Sequence, residues 1–473
     1  MIRRPTIWIL AAVLAVGAVQ MLFTVKVDPH VRCVPTADVD AALAARAVAP
    51  QERCLSDATA YHLLADELAT SGRYLRPFDH VIFDLERPTA EYPPLFPFAL
   101  SMLDRIGLDS VARQQLVFGA FMAMAAAGAA ALLARRLGLA DAGCALVALA
   151  VGCQPLLLQA NALLMTEGMF AAIVGWLLVA AARLRDAPSG RRAVSVGVLL
   201  GLAALTRGEG LIWMPIVALS IALPFRKPNL RLAGVAVLIA GAVVAPWTAR
   251  NQARFDEVVP VSNNLGTVLD GANCPLTYSG PTIGAWRSTF VPGSTDRDRP
   301  CFAGFAIEEA AFSEAEAAAR ARREGLDYAF DHPGRWPLVA VARLGRSFGV
   351  WNPSQQVDLE VLEGRARRWQ WAGTVAWWIT APLAAIGLVQ RIRRRDRHVA
   401  VVLIPIVGVA LTTLVTYGNQ RFRAGLEPTA IVLAALAIAS FVRPGWAGDG
   451  PESLTTASGS VPDPDRPVAS PTA

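Results

Sequence analysis

The chain has 473 residues, of which 54% belong to the apolar set AVILMFWYC and only 17% are charged, whereas an ordinary soluble domain is nearer a quarter charged. The apolar residues gather in runs long enough to cross a bilayer, which excludes a cytosolic enzyme and a secreted domain. A net charge of +6 does not make a nucleic-acid binder, because the basic residues are spread through short loops instead of one patch. Of those 44 residues all but Lys26 and Lys227 are arginine, a bias typical of high-GC bacterial coding.

The first apolar run, 6–25, follows Arg3, Arg4 and Pro5. It exceeds the apolar core of a cleaved signal peptide and reads as a retained anchor. Further spans are expected at 114–134, 141–159, 165–182, 193–206, 210–224, 232–247, 370–389, 399–417 and 427–442. The expected fold is therefore an all-α polytopic membrane protein with about ten transmembrane helices. Two long polar stretches interrupt it, at 26–113 and 248–369. They divide the chain into a membrane module over 1–247 that includes the first stretch, a small outer unit over 248–369, and C-terminal helices over 370–442. The Pro/Ser/Asp-rich tail, 443–473, reads as disordered.

Orientation follows from arginine, which is retained on the cytoplasmic side in short loops. One set of alternate segments carries sixteen Lys and Arg residues, among them Arg135, Arg136, Arg183, Arg185 and the run from Arg391 to Arg397. The opposite short loops carry three: Arg207, Arg421 and Arg423. Both termini are thus expected in the cytoplasm of a bacterial inner-membrane protein, and both long stretches outside. Cys33 and Cys54 fall in the first outer stretch, Cys274 and Cys301 in the second. Four outer cysteines allow three connectivities; the sequence-local pairing, Cys33–Cys54 with Cys274–Cys301, is favoured where thiols oxidise.

The first outer stretch carries the most chemistry. Asp57 opens a segment in which Tyr61, Leu64 and Leu68 recur at helical spacing, and the plainer reading makes Asp57 or Ser56 a helix cap. Further on stands Pro88-Thr89-Ala90-Glu91-Tyr92-Pro93-Pro94-Leu95, stiffened by its prolines. Glu167, in Leu164-Met165-Thr166-Glu167, and Glu209, in Thr206-Arg207-Gly208-Glu209, are acidic residues in short apolar turns. Such groups are costly unless paired or functional. Pro246-Trp247-Thr248-Ala249-Arg250-Asn251 closes another span, and Tyr417-Gly418-Asn419-Gln420-Arg421-Phe422-Arg423 precedes Glu427-Pro428.

Taken in order, these segments resemble the GT-C glycosyltransferases, in particular bacterial family 39-like members related to the protein O-mannosyltransferases and the lipid A aminoarabinose transferases. The resemblance runs over about residues 1–445 and is weak through much of the second outer stretch. It implies a GT-C fold and an inverting hexosyl- or pentosyltransferase at the outer face of the membrane. The donor would be a polyprenyl-phosphate sugar and the acceptor a protein, glycan or lipid. Asp57 would be the general base, Arg207, Arg250, Arg421 and Arg423 the donor-phosphate ligands, and Tyr61, Glu91, Glu167 and Glu209 supporting residues.

No cofactor is expected, and a divalent metal is not favoured. Asp38-Val39-Asp40, Asp296-Arg297-Asp298 and Asp463-Pro464-Asp465 are loose Asp-x-Asp pairs, the five histidines are scattered, and no Walker A or dinucleotide fingerprint occurs. His62 reads as interfacial packing. A helical region is expected from Ile307 to Phe330. A following helix with Arg343 and Arg346 one turn apart is expected to lie on anionic headgroups, the sharper alternative being that it lines the donor or acceptor entry. The rival functions are a lipid or sugar transporter or flippase, which would carry its ionisable residues near the bilayer midplane, and an inactive scaffold that keeps the fold.

Overall fold

The computed structural model describes residues 4–26, 57–223, 229–287, 301, 313–362 and 364–442. These are helical apart from turns, loops and one isolated antiparallel bridge, Leu75 to Pro88. The chain begins with α1 (Arg4–Lys26), and the shorter helices α2 (Asp57–Thr70), α3 (Pro77–Phe83) and α4 (Leu95–Arg105) precede α5 (Val111–Arg136). Next come α6 (Asp141–Gly152), α7 (Pro155–Ala162), α8 (Thr166–Asp186), α9 (Gly190–Thr206), α10 (Gly210–Ala222) and α11 (Leu230–Gln252). The second long polar stretch holds α12 (Leu265–Ala272), α13 (Pro275–Tyr278), α14 (Glu314–Asp331), α15 (Trp336–Ser347) and α16 (Pro353–Leu362). The chain returns through α17 (Arg367–Arg393), α18 (Val399–Val415) and α19 (Glu427–Val442).

A helix occupies each of the ten expected span positions, but their lengths differ. Five (α1, α5, α8, α11 and α17) are long and apolar enough to cross a membrane, which makes this a multi-pass membrane protein. The pair α6–α7 adds a sixth if it is one span bent by 55°. Pro155 enforces that break, since it cannot donate the next backbone bond, and Gln154 caps the new helix by accepting from the Leu157 N–H at 2.9 Å. The 13 residues of α10 rise only about 20 Å, short of a hydrocarbon core of about 30 Å. The expected count of ten is accordingly not reached by helices of full spanning length.

Small residues let the bundle close. Gly197 and Gly201 of α9 lie against the Ala236 and Ala240 carbonyls of α11, where an added Cβ would come within 2.5 and 3.0 Å, the close backbone approach that drives helix association in lipid. At the arginine-rich end the helices are tied through Asp186, the last residue of α8. It takes Arg136 at 2.8 Å, His398 at 2.9 Å and Arg397 at 3.1 Å.

At the other end the two long polar stretches are laced together by Glu314, the first residue of α14. Its carboxylate accepts from the Thr89 hydroxyl (2.7 Å), the Ala90 N–H (2.9 Å) and the Asn263 amide (2.5 Å), while the Asn263 N–H donates to the Ala90 carbonyl at 3.1 Å. Helix α14 starts at a capping box formed by Ser313 and Glu316; residues 307–312 of the expected helical region lie outside the described residues. Cys274 and Cys301 are joined by a disulfide. Cys33 and Cys54, the three Asp-x-Asp pairs and the tail 443–473 all lie outside the described residues.

Helix α15 reverses both expectations for it. Arg343 and Arg346 are buried, donating to the carbonyls of Leu414 and Ala272 and of Ile283 and Pro281 respectively. Trp336, Leu338 and Val341 face outward instead. A guanidinium has five donors, and the carbonyls of the surrounding loops and helix ends provide enough acceptors to draw both side chains inward.

Candidate active site

A cavity of about 730 Å³ opens between the helices of the two polar stretches and the ends of the bundle, and Asp57, Tyr61, Arg207, Glu209 and Arg421 line it. Each is positioned by a local feature. Asp57 is the first residue of α2, with Tyr61 one turn on. The Tyr61 ring packs edge-on against Tyr92 and Phe96, both at 5.1 Å between centroids. Arg207 and Glu209 occupy the tight turn between α9 and α10, and Arg421 sits in a 3-10 turn, Gln420–Gly425, before α19.

The charges form one connected group. The Asp57 carboxylate accepts from the Tyr92 hydroxyl at 3.3 Å and faces Arg421 Nη2 at 3.6 Å. Burial pushes the Tyr92 phenol well above its ordinary range, so it stays protonated as the donor. Arg421 Nε lies 3.2 Å from Glu167 Oε1. Arg207 pairs with Glu209 in its own turn, at 2.9 and 3.3 Å, and donates to the Thr166 hydroxyl at 2.9 Å. It also reaches Glu167 Oε1 at 3.5 Å. The Asp57 side chain remains 35% exposed, so the base candidate can be reached from the cavity.

Glu167 is the buried hub. It is the second residue of α8, where the helix dipole favours an anion, and a tight turn with Leu164 at φ 53° delivers it. Such a conformation is strained for a branched residue. Gly168 permits the approach of Asn161, whose Oδ1 would lie 1.8 Å from an added Cβ.

Two predicted ligands are elsewhere. Arg250 does not line the cavity: it donates to the carbonyls of Thr89 (2.6 Å) and Tyr74 (3.0 Å), with its guanidinium 4.8 Å from the Trp247 ring. It thereby fastens the end of α11 to the Pro88–Leu95 segment. Arg423 is fully buried, pairs with Glu427 at 3.1 Å, donates to the Ser347 carbonyl and stacks 4.7 Å from the Trp377 ring. Glu91 stands behind the cavity wall 3.9 Å from Arg76; burial, and then the Glu314 carboxylate, push its carboxyl upward.

Sequence reasoning missed Tyr92, Glu314 and Arg365. The last is buried and bonds Glu167 at 2.7 Å. Arg365 stands in Gly364-Arg365-Ala366-Arg367-Arg368, where nothing separates it from a juxtamembrane basic cluster. The Ser-x-x-Glu cap at Ser313 was the one available signal that would have marked the start of α14 and so Glu314. Among the described residues no cluster of three or more His, Cys, Asp or Glu could hold a metal.

No known family model matches the chain, and no curated protein does. Solved structures do resemble it. The oligosaccharyltransferase AglB of Archaeoglobus fulgidus, in complex with an inhibitory peptide and a dolichol-phosphate, aligns over 96% of this chain and 52% of its own, at 13% identity and a TM-score of 0.49. The same archaeal enzyme with Zn and sulfate aligns over 92% and 50%, at 14% and 0.47. ArnT from Cupriavidus metallidurans, bound to undecaprenyl phosphate, aligns over 92% and 77%, at 16% and 0.42. The chain thus spans about half the length of the archaeal enzyme. At these scores no residue of one can be equated with a residue of another.

Proposed function

We propose that the chain is a GT-C-type membrane glycosyltransferase that moves a sugar from a polyprenyl-phosphate donor to an acceptor hydroxyl at the outer face of a bacterial inner membrane, with both termini cytoplasmic. The observation that carries the reading is the juxtaposition of a reachable carboxylate, Asp57, and a guanidinium, Arg421, 3.6 Å apart on the wall of one cavity. Asp57 takes the proton of the acceptor hydroxyl. The acceptor oxygen then bonds to the anomeric carbon as the bond from that carbon to the phosphate oxygen breaks, and the phosphate leaves with the electron pair. Arg421, with Arg207 beside it, stabilises the leaving phosphate by charge-assisted hydrogen bonds. With Asp57 as the base and Glu209 held by Arg207, the reading is a single displacement with inversion.

The rival transporter reading needs its ionisable groups in mid-membrane. Glu167, Arg207 and Glu209 stand at helix ends instead, which favours transfer. The test is mass spectrometry of envelope glycans, glycoproteins and lipids from a strain lacking the chain, complemented with wild type or Asp57→Asn. One glycoform should vanish on deletion, return with wild type and stay absent with the variant. A glycoform pattern that ignores the deletion would remove the reading.

A further inference from the structure

We infer that α15 is embedded in the membrane: its outward side meets lipid acyl chains in the leaflet opposite the arginine-rich end, with Trp336 at the interface and Val350 in the hydrocarbon. The helix is amphipathic the wrong way round for water. Leu338, Val341 and Leu344 recur every three residues and so share one side of the helix. That side turns outward, and Val341 is 58% exposed. Arg343 and Arg346 lie on the opposite, buried side. Charge inside and apolar residues outside is the arrangement that hydrocarbon favours. The apolar surface continues past both ends of the helix. Phe330 and Trp336 stand before it, 5.8 Å apart between ring centroids, as interfacial aromatics do. Val350, 73% exposed, follows it.

Two neighbouring apolar helices set the depth. On α17, Trp378 donates to the Gly349 carbonyl at 2.9 Å. Thirteen residues on, at the arginine-rich end, Arg391 pairs with Asp396 and reaches the Leu137 carbonyl. Thirteen helical residues rise about 20 Å. On α18, the Leu414 carbonyl takes Arg343 at 2.9 Å, and the Thr413 and Ser347 hydroxyls meet at 3.0 Å. Leu414 is sixteen residues, about 24 Å, from His398, which Asp186 holds at the arginine-rich end. A hydrocarbon core is about 30 Å thick. It begins no lower than those charges, and any tilt of the helices shortens both rises. The C-terminal half of α15 therefore lies within the core. At that depth no water satisfies irregular backbone, which gives the two arginines their work: they take carbonyls at the end of α18 and in the loops at Ala272, Pro281 and Ile283. The turn after α15 is paired likewise, the Val350 and Trp351 N–H groups donating to the Gly345 carbonyl at 2.7 and 3.0 Å.

The test uses the full chain in nanodiscs of phosphatidylethanolamine and phosphatidylglycerol. A photoreactive benzoylphenylalanine is placed, one site at a time, at Val341, at Val350 and at the exposed Glu324 of α14, and adducts are read by mass spectrometry. Val341 and Val350 should crosslink to acyl chains, and Glu324 should give no acyl-chain adduct. Adducts to headgroups alone would leave α15 lying on the surface and overturn the embedding. Crosslinks from Val341 and Val350 to another segment of this chain, or to a second copy of it, would show that protein covers the face and overturn it as well. A second measurement needs no photochemistry. Val341→Asp should lower the thermal unfolding midpoint in the same nanodiscs or abolish folding, while Val341→Leu holds it, because a carboxylate in hydrocarbon is costly. An unchanged midpoint for Val341→Asp would place Val341 in water and sink the inference.

Discussion

Helix α8 carries an acidic hub at each end, and the two behave oppositely. Glu167, at its start, is buried and faces three arginines, two of which, Arg207 and Arg421, also line a cavity. Asp186, at its end, is partly exposed and takes Arg136, Arg397 and His398. The helix dipole stabilises an anion at the N-terminus and opposes one at the C-terminus. Asp186 therefore needs the cations around it simply to persist, and neighbouring Arg185 is satisfied by the carbonyls of Arg397 (2.6 Å) and Ser220 (2.7 Å). Glu167 already has the dipole in its favour, and two of the arginines around it, Arg207 and Arg421, also face the cavity. Similar residues thus make a structural clasp at one end and a candidate anion site at the other.

The sharpest way to break that contrast is at Asp57. Asp57→Asn preserves shape yet removes the proton acceptor. Turnover should fall about a hundredfold or more while the melting temperature in nanodiscs holds. Near-parental transfer by a well-folded variant would unseat Asp57 and send the search for the base to Asp66, Glu67 or Glu91. The next largest effect belongs to Arg421→Ala, which should raise the donor KM by roughly tenfold or more. If kcat alone falls, Arg421 acts only in the transition state and is not a ground-state ligand.

At the opposite hub the signs should reverse. Asp186→Asn should leave transfer kinetics unchanged and lower stability by about 1 kcal/mol, the scale of a partly exposed ion pair, read as a shift of the thermal unfolding midpoint. A loss of transfer there, with the midpoint unmoved, would erase the distinction between the two ends. The smallest effect concerns pH. Burial beside Glu314 raises the Glu91 carboxyl above its ordinary value of 4.5, so the folded state holds that proton more tightly than the unfolded chain. The associated stability is present below the ordinary carboxylate range and is lost as pH rises above it. Melting curves from about pH 5 to about pH 8 should slope downward in wild type and less so in Glu91→Gln.

Much of this was legible in the chain itself. Apolar runs placed a helix at every expected span because burial in lipid demands about twenty apolar residues and internally paired backbone. Arg207, Glu209 and Arg421 stood out because charge in a short apolar turn is expensive, and Asp57 because it opens a helically spaced segment that resembles the start of a known family's first loop. Which arginine reaches the cavity was not legible. Arg250, Arg421 and Arg423 share a composition and a helix-end setting, and only packing shows that two of them are held by carbonyls, aromatic faces and Glu427.

Arg343, Arg346 and Arg365 make the same point from inside the protein. By sequence they belong to basic, interfacial segments; in the fold they turn inward, because loop carbonyls and the buried carboxylates Glu167 and Glu360 offer acceptors there. Hydropathy is a property of the chain and is additive along it, so the sequence alone determined that this is a multi-pass helical membrane protein and where its helices lie. The partner of a charge depends on residues hundreds of positions away, as Arg365 and Glu167 are 198 apart. Only the tertiary structure could decide which charges pair with which, and which of them face the cavity.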